Sequence, residues 1–467
     1  MKDCIDRSLV ELRPYQKKAI RYLRDHDTLL VAHGTGTGKT LTAVAASQCY
    51  LDSMPNNTVI VISPSTLIDN FKKEMKKYGL DSESHKKYKF YSFTEYNNKC
   101  KNDILQGLVG SCKSSFLIID EAHNIRNEKG VTYNNILVCA KQADKVLLLT
   151  ATPYVNDVSD VESLINILNR EIYMSDYFKT TREYKEYYKI YPDSDRNSVK
   201  YIKSLAAIER MLKGKVSYEN DKKTDNFPDV IESKVTIKMS TEFYISYLKS
   251  LYVDKVFGAK PEAFYHGIRR GVNESGLDEF FEQYYSTKIN RLPMLINSDK
   301  GPLQTLVFTN WIRDGISIIR TCFDNIGVNY RIISGQVPLK SRTEYIRMYN
   351  AGEVNVLVIT KAGSEGIDLV GTRNIIIVDP VWNYAGIEQI IGRGSRYLSH
   401  AHLPKEERVV HVYQMITTAP SDWEYLQKVT LGFNIPKETG DEQLYKFIEE
   451  KQLVNQDITT LFQLCSI

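Results

Sequence analysis

A glycine-rich stretch near the N-terminus, VAHGTGTGKTLTAVA at residues 31–45, constrains the fold more than any other part of the sequence. Apolar residues precede this loop and a helix-forming run follows it, which is the order strand, loop, helix. The glycines let backbone N–H groups close around phosphates, Lys39 can reach the β- and γ-phosphates, and the Thr40 hydroxyl can hold Mg²⁺. The strict phosphate-loop pattern asks for glycine where this chain has His33. The candidate nucleotide-binding residues of the loop are His33, Gly34, Thr35, Gly36, Thr37, Gly38, Lys39 and Thr40.

Short apolar runs alternate with helical periods along most of the chain. The candidate strands are DTLLVAHG, TVIVISP, KFYSFTE, SFLIIDEAH and KVLLLTATP, and after residue 293 LQTLVFTNW, NYRIISG, VNVLVITKAG, RNIIIVDP and RVVHVYQM. Strands joined by helices are typical of parallel sheets, whose functional loops follow the strand ends. The sequence therefore predicts an α/β fold with two such sheets in tandem.

The domain boundaries follow from where this rhythm stops. We expect a nucleotide-binding domain at 1–156, a helical insertion and linker at 157–293, a second α/β domain at 294–430 and a tail at 431–467. The insertion is rich in Tyr, Lys and Glu, and KGKVSYENDKKTDNFPDV at 213–230 breaks it with turn-forming residues. The tail is long enough for one or two helices.

Composition indicates an intracellular globular protein. No apolar run approaches the roughly 20 residues of a membrane span, and the N-terminus lacks the apolar core of a signal peptide. The seven cysteines are scattered and form no C-x-x-C pair, so we expect reduced thiols.

Charge gives only a local signal for nucleic acid. A net charge of +4, from 61 basic and 57 acidic residues, does not indicate a nucleic-acid-binding protein. The stretch 71–89 carries seven lysines and His85 against three acids. A solvated helix face is the commoner interpretation of such a run.

Two carboxylates follow the strand SFLIIDEAH directly. Asp120 would hold Mg²⁺, and Glu121 would orient and deprotonate an attacking water. Acid pairs at strand ends also occur as simple surface charges, but the preceding Gly-x-Gly-Lys-Thr favours function. The hydroxyls of LLLTATP, at 147–153, could sense the nucleotide from another strand end.

Two arginines in IEQIIGRGSR stand three residues apart, on one helical face if the segment is helical throughout. A basic surface helix is the simpler interpretation of Arg393 and Arg396. Alternatively, they stabilise charge that develops at a γ-phosphate bound by the other domain. Hydrolysis would then require both domains.

Together these motifs resemble the motor core of superfamily 2 helicases. The set is LRPYQKKAI, HGTGTGKT, VISPSTL, DEAH, TATP, LVFTNW, ITKAGSEGIDL and QIIGRGSR, in order and spacing, from about residue 12 to residue 415. LRPYQ and ISGQVPLKSRTEYIRMYN are similar to the Snf2-like branch. KGKVSYEN, NFPDV and SHAHLPKEERVVHVY resemble the helicase-like ATPases of poxviruses and other large DNA viruses, among them nucleoside triphosphatase I and the small subunit of the early transcription factor.

The resemblance implies two RecA-like P-loop domains and a role for further residues. It makes Gln16, with Arg13 beside it, the reader of adenine. Ser65, Thr66 and Thr360 would hold phosphates of a nucleic-acid strand, and because the lysines of 71–89 follow that first loop, binding becomes slightly favoured for them. Trp311 could stack on a base, although a single tryptophan beside a strand end is more often packed. The remaining implied nucleotide contacts are Gln389 and Gly366 at the γ-phosphate, and Asp368 near the ribose or the arginines.

The function expected from these residues is an ATPase motor stimulated by nucleic acid. We expect DNA rather than RNA, translocation on duplex DNA during viral transcription, a viral RNA polymerase as a partner, and the host cytoplasm or the virion as the location. Strand separation of RNA or DNA is the rival activity, and an ATP-switched transcription-factor subunit is an alternative of another class. The viral relatives extend well beyond the last motif, so a partner-docking module like theirs is in doubt here.

Overall fold

The computed structural model describes residues 3–81, 84–105, 112–127, 130–151, 160–170, 208–219, 226–256, 272–273, 286–298, 301–363, 367–382, 384–429 and 435–467. Contacts divide the chain into two compact units. The first unit comprises Met1–Lys222 and Glu450–Ile467, and the second comprises Lys223–Glu449.

The first unit is a six-stranded parallel sheet with helices on both faces. Its strands are β1 (Thr28–His33), β2 (Thr58–Ile62), β3 (Tyr88–Tyr91), β4 (Ser115–Ile119), β5 (Lys145–Thr150) and β6 (Val216–Glu219). Its helices are α1 (Pro14–Asp25), α2 (Lys39–Ser53), α3 (Ser65–Tyr78), α4 (Phe93–Leu105), α5 (Val131–Gln142) and α6 (Asp160–Asn169). The strand order is β3-β2-β4-β5-β1-β6. β1 is therefore an interior strand, and the glycine-rich loop follows its C-terminal end.

Burial on both faces explains why the interior strands β1, β2, β4 and β5 are almost continuously apolar. Leu29 and Val31 of β1 pack into one core cluster, and Leu30 and Ala32 pack into the other. A parallel sheet covered by helices on each side requires such runs.

The second unit repeats this plan. Its strands are β7 (Asp229–Lys238), β8 (Asn297–Ser298), β9 (Gly301–Pro302), β10 (Thr305–Phe308), β11 (Tyr330–Ile333), β12 (Val356–Ile359), β13 (Asn374–Ile377) and β14 (Val409–Thr418). Its helices are α7 (Thr241–Val256), α8 (Leu292–Ile296), α9 (Ile318–Ile326), α10 (Leu339–Asn350), α11 (Tyr384–Gly394), α12 (Trp423–Val429) and α13 (Gly440–Leu464), which continues into the first unit. The main sheet has the order β11-β12-β10-β13-β14-β7, all parallel, and β8 pairs with β9 antiparallel.

Short helical turns complete the described elements. Turns of 3₁₀ helix cover Ser84–Lys87, Ala122–Ile125, Ile289–Arg291, Lys361–Gly363 and Lys405–Glu407, and a π-helical turn covers Ile312–Ser317. All ten strands expected from the sequence are confirmed, and the described part of the tail forms one helix.

The segment interpreted as a turn-rich break in a helical insertion contains strands instead. β6 pairs with β1 at the edge of the first sheet, and β7 pairs with β14 over ten residues in the second. The chain passes from the first compact unit to the second between Lys222 and Lys223. The domain boundary expected at residue 156 stays a prediction. Most of 157–293 lies outside the described residues, and the helical insertion stays a prediction.

The expectation of reduced thiols is wrong for four cysteines. Disulfides join Cys4 to Cys49 and Cys112 to Cys139, with Cα atoms 5.2 and 5.3 Å apart. Packing of α2 and α5 brings these pairs together, and separations of 45 and 27 residues gave no local signal. Among the described residues, no helix has the length and apolarity needed to cross a membrane.

Candidate nucleotide and nucleic-acid sites

The glycine-rich loop follows β1 and leads into α2. Gly36 and Gly38 have φ values of +77° and +82°, in the left-handed region that glycine adopts without strain. The Gly34 N–H donates to the Glu219 carbonyl of β6 at 2.8 Å, and the Thr37 hydroxyl donates to the Gly34 carbonyl at 2.7 Å. The loop is thus held by its own hydroxyl and by the strand beside it.

The start of α1 contacts the loop directly. The Gln16 amide nitrogen donates to the Gly38 carbonyl at 2.9 Å, and its oxygen accepts from the Arg13 N–H at 2.8 Å. A Cβ on Gly38 would lie 2.7 Å from the same Gln16 nitrogen and would displace the end of that side chain, while the φ of +82° is what favours glycine here. Tyr15, which sequence reasoning missed, donates through its hydroxyl to the Thr37 carbonyl at 2.8 Å. Gln16 and Arg13 therefore lie at the loop, and the adenine-reading role remains a prediction.

His33 enters the loop through its backbone. The Lys39 ammonium donates to the His33 and Gly34 carbonyls at 2.9 and 3.0 Å. The His33 ring is fully buried and lies 2.8 Å from the Ser217 hydroxyl of β6, measured from Nε2. Burial, with a smaller effect of the Lys39 charge, lowers the pKa of His33 to about 3. The ring is neutral near pH 7 and packs toward the sheet edge, so it replaces a glycine without blocking the loop.

Asp120 and Glu121 lie where β4 ends. The Asp120 carboxylate accepts from the Ser63 hydroxyl at 3.3 Å and from the Glu121 N–H at 3.1 Å. Burial and the adjacent Glu121 charge raise the pKa of Asp120 to about 7, while the nearby Lys39 charge opposes this rise. A divalent cation would favour the ionised carboxylate.

Glu121 has a constrained backbone and a polar neighbour on another strand end. Its φ of +51° is in the left-handed region, which costs free energy for a residue other than glycine. Its carboxylate lies 3.3 Å from His123 Nδ1, and the same nitrogen lies 3.3 Å from the Thr150 hydroxyl at the end of β5. His123 thus connects the carboxylate at β4 to the hydroxyl that the sequence singled out at β5. The rest of that motif, Thr152 and Pro153, lies outside the described residues.

The donor set fits a magnesium nucleotide. Among the described residues, no group of three or more His, Cys, Asp or Glu side chains could hold a metal ion. Mg²⁺ is usually bound by one or two protein groups together with substrate phosphates. The Thr40 hydroxyl, at the start of α2, and the Asp120 carboxylate would supply such groups.

Ser65 and Thr66 are exposed on the first two residues of α3. Backbone N–H groups at a helix N-terminus bind phosphate. Farther along this helix, the Lys77 ammonium pairs with Glu74 at 2.5 Å and Lys72 lies 3.7 Å from the Asp69 carboxylate. Part of the lysine-rich stretch is therefore paired within the protein.

The second unit brings several strand-end residues together around a buried aspartate. The Asp379 carboxylate accepts from the Thr309 hydroxyl at 2.5 Å and from the Asn310 N–H at 2.8 Å. Trp311 follows and is half-buried, and its backbone N–H donates to the Thr309 hydroxyl at 3.3 Å. Thr360 lies buried at the end of the neighbouring strand β12. Asp379 was missed because RNIIIVDP signals only a strand.

A fully buried ion pair supports this strand-end cluster. The Lys288 ammonium lies 2.5 Å from the Asp441 carboxylate and donates to the Val378 carbonyl at 2.8 Å. The Asp441 carboxylate also accepts from the Thr417 N–H and hydroxyl, each at 3.0 Å. The pair joins the start of α13 to the ends of β13 and β14. Sequence reasoning missed both residues because they are 153 positions apart, counting from 288 to 441.

The two arginines are not on one helical face. Helix α11 ends at Gly394, so Arg393 lies in its last turn and Arg396 follows it, because Gly394 and Ser395 end the helix. Arg396 forms an ion pair with Asp368 and donates to the Gly392 carbonyl at 2.9 Å. Gln389 is half-buried on α11. Gly366 lies outside the described residues.

Comparisons with known proteins show similarity along most of the chain. A model of the SNF2-related domain matches residues 15–273, and one of the helicase conserved C-terminal domain matches residues 287–397. A protein of Acanthamoeba polyphaga mimivirus that bears the name ATP-dependent RNA helicase is 30% identical, over 88% of this chain and 90% of its own. Nucleoside triphosphatase I of Choristoneura biennis entomopoxvirus is 25% identical, over 94% and 81%. The Sulfolobus solfataricus SWI2/SNF2 ATPase core in complex with dsDNA aligns over 97% of both chains with 19% identity and a TM-score of 0.39.

Proposed function

Because this chain belongs to the SNF2-related family of helicase-like ATPases, we propose that it is a motor that uses ATP hydrolysis to move along duplex DNA. The chain is an ATP hydrolase with tandem RecA-like domains. We propose that nucleic acid stimulates its hydrolysis and that it acts in viral transcription, with a viral RNA polymerase as partner, in the host cytoplasm or the virion.

One observation carries the hydrolytic part of the proposal. The charges of Lys39 and Glu121 lie close enough to Asp120 to shift its pKa. His123 Nδ1 lies near both the Glu121 carboxylate and the Thr150 hydroxyl. In the proposed mechanism Thr40 and Asp120 hold Mg²⁺, and Glu121 accepts a proton from the attacking water. Arg13 and Gln16 recognise the adenine, and the other residues of 33–40 bind the phosphates.

The second unit completes the proposed catalytic set. Gln389, Arg393 and Arg396 would act at the γ-phosphate during hydrolysis, with Gly366 and Asp368 beside the nucleotide. Since Arg396 is paired with Asp368 in this structure, that ion pair would have to open before the arginine could act. Ser65, Thr66, Thr360 and Trp311 would contact the nucleic acid.

The substrate is tested by ATPase rates measured in parallel without nucleic acid and with duplex DNA, single-stranded DNA and RNA. We expect the largest stimulation with duplex DNA. Ser65→Ala/Thr66→Ala should weaken this stimulation, while Ser53→Ala, which removes an exposed hydroxyl of the same unit outside the proposed nucleic-acid contacts, serves as the matched control. Stimulation by RNA alone would reject the DNA assignment.

Strand separation is the second candidate because one relative bears the name of an RNA helicase. Displacement of a triplex-forming strand, compared with unwinding of a forked duplex, distinguishes the two activities. We expect displacement with little unwinding. Efficient unwinding without displacement would favour the helicase. ATP turnover that ends after each binding event would instead favour the ATP-switched transcription-factor subunit.

A further inference from the structure

A groove runs along the edge of the second sheet, outside the residues assigned to ATP or nucleic acid. It has a volume of about 740 Å³, within the size range of ligand pockets. Strand β11 forms its base, and residues from the end of the π-helical turn, α9 and α10 form its two sides. The two helices pack on opposite faces of the sheet, since α9 contributes Phe323 to one core cluster and α10 contributes Tyr349 to the other.

The base of the groove presents backbone groups. The Asn329 and Ile333 carbonyls accept from Val356 and Thr360 on the side of β12, both at 3.2 Å. Because backbone direction alternates along a strand, the N–H and C=O groups of Tyr330 and Ile332 face the other way. The Arg331 side chain donates to the Tyr330 carbonyl at 2.8 Å, which agrees with this direction.

The groove also carries positive charge. Arg331 lies over the Tyr345 ring at 5.9 Å and uses one donor on Tyr330, which leaves further guanidinium donors. Arg320 is exposed on α9 and has no ion-pair partner among the described residues. Asp324 is the single carboxylate among the described residues that line the groove, and it accepts from the Tyr330 hydroxyl at 2.7 Å.

We propose that this edge groove binds an extended acidic segment of a partner protein, which adds to β11 as a further strand. A peptide offers backbone N–H and C=O groups that match those of Tyr330 and Ile332, whereas nucleic acid does not. Acidic side chains on the segment would pair with Arg320 and Arg331. A second copy of the chain fits less well, because pairing β11 with itself places like charges opposite each other.

Selection from a displayed library of random peptides of about ten residues, roughly 33 Å when extended, tests this. The target is the full-length protein, and the Arg320→Glu/Arg331→Glu variant removes peptides that bind elsewhere. Arg291→Glu is the matched control, because Arg291 is exposed in the same unit but outside the groove. Binding of recovered peptides is then measured by fluorescence anisotropy.

We expect acidic peptides whose affinity falls about tenfold or more with the double variant and stays within about twofold with Arg291→Glu. N-methylation of alternate peptide nitrogens should abolish binding in one of the two registers, because it removes strand hydrogen bonds. If the double variant unfolds at a lower temperature than wild type, Arg320→Gln/Arg331→Gln replaces it.

Two results would overturn the proposal. One is a selection that returns only basic peptides, or peptides whose affinity does not change when both arginines are replaced. The arginines would then serve to prevent edge-to-edge association of the sheet. The other is a double variant that binds duplex DNA more weakly while no peptide depends on the groove, which would assign the arginines to nucleic acid.

Discussion

Removing one partner of the Lys288–Asp441 ion pair should destabilise the second unit strongly. Both side chains are fully buried, so Asp441→Asn leaves the Lys288 ammonium in the protein interior without its nearest counter-charge. Breaking a buried pair in this way typically costs about 3 to 5 kcal/mol. The asparagine keeps an oxygen that can accept from Thr417, so the lower part of this range, about 3 kcal/mol, is our expectation.

Tryptophan fluorescence during urea unfolding measures this change selectively. The chain has three tryptophans, Trp311, Trp382 and Trp423, and all of them belong to the second unit. Lys234→Met is the control, because Lys234 pairs with Glu449 on the surface of the same unit, where an ion pair contributes at most about 1 kcal/mol.

A double-mutant cycle separates the ion pair from other effects. Lys288→Met should also destabilise, and Lys288→Met/Asp441→Asn should be more stable than the sum of the single changes by about 2 kcal/mol. Additive losses, or an Asp441→Asn transition midpoint equal to that of Lys234→Met, would show that the pair is not an essential part of this fold.

Three further predictions concern the first unit and the arginine. Glu121→Gln should bind ATP normally but lose stimulated turnover by about 10²-fold or more, because the general base is removed; near-normal turnover would reject that role. Arg396→Ala should leave nucleotide affinity within a few fold yet reduce hydrolysis by about 10³-fold, and equal losses of binding and rate would place Arg396 in ground-state contacts. His33 has a pKa near 3 when folded and near 6.5 when unfolded, so its contribution to stability is complete above about pH 6.5 and decreases as pH falls toward 3. His33→Gln should therefore show a flatter fall in calorimetric unfolding temperature across that window, and an unchanged slope would contradict the buried neutral ring.

The sequence identified the parts of the fold whose signals are local. Ten apolar runs became strands, and most of them are interior strands covered on both faces, whereas β3 and β11 lie at sheet edges. The loop at 33–40 connects β1 to α2, and its glycines permit left-handed backbone. Asp120 and Glu121 follow their strand directly, so the order of residues was enough to predict that they lie at the carboxyl end of β4.

Only the tertiary structure decided features that depend on distant partners. β6 and β7 are short or largely exposed, and they became strands because β1 and β14 offered backbone groups to pair with. The His33 ring turns toward Ser217, 184 residues away, and burial there lowers its pKa. Lys288 and Asp441 show no pattern in sequence, yet folding buries them together. The physical reason is the same in each case: hydrogen bonding and desolvation act between neighbours in space, which residue order does not specify.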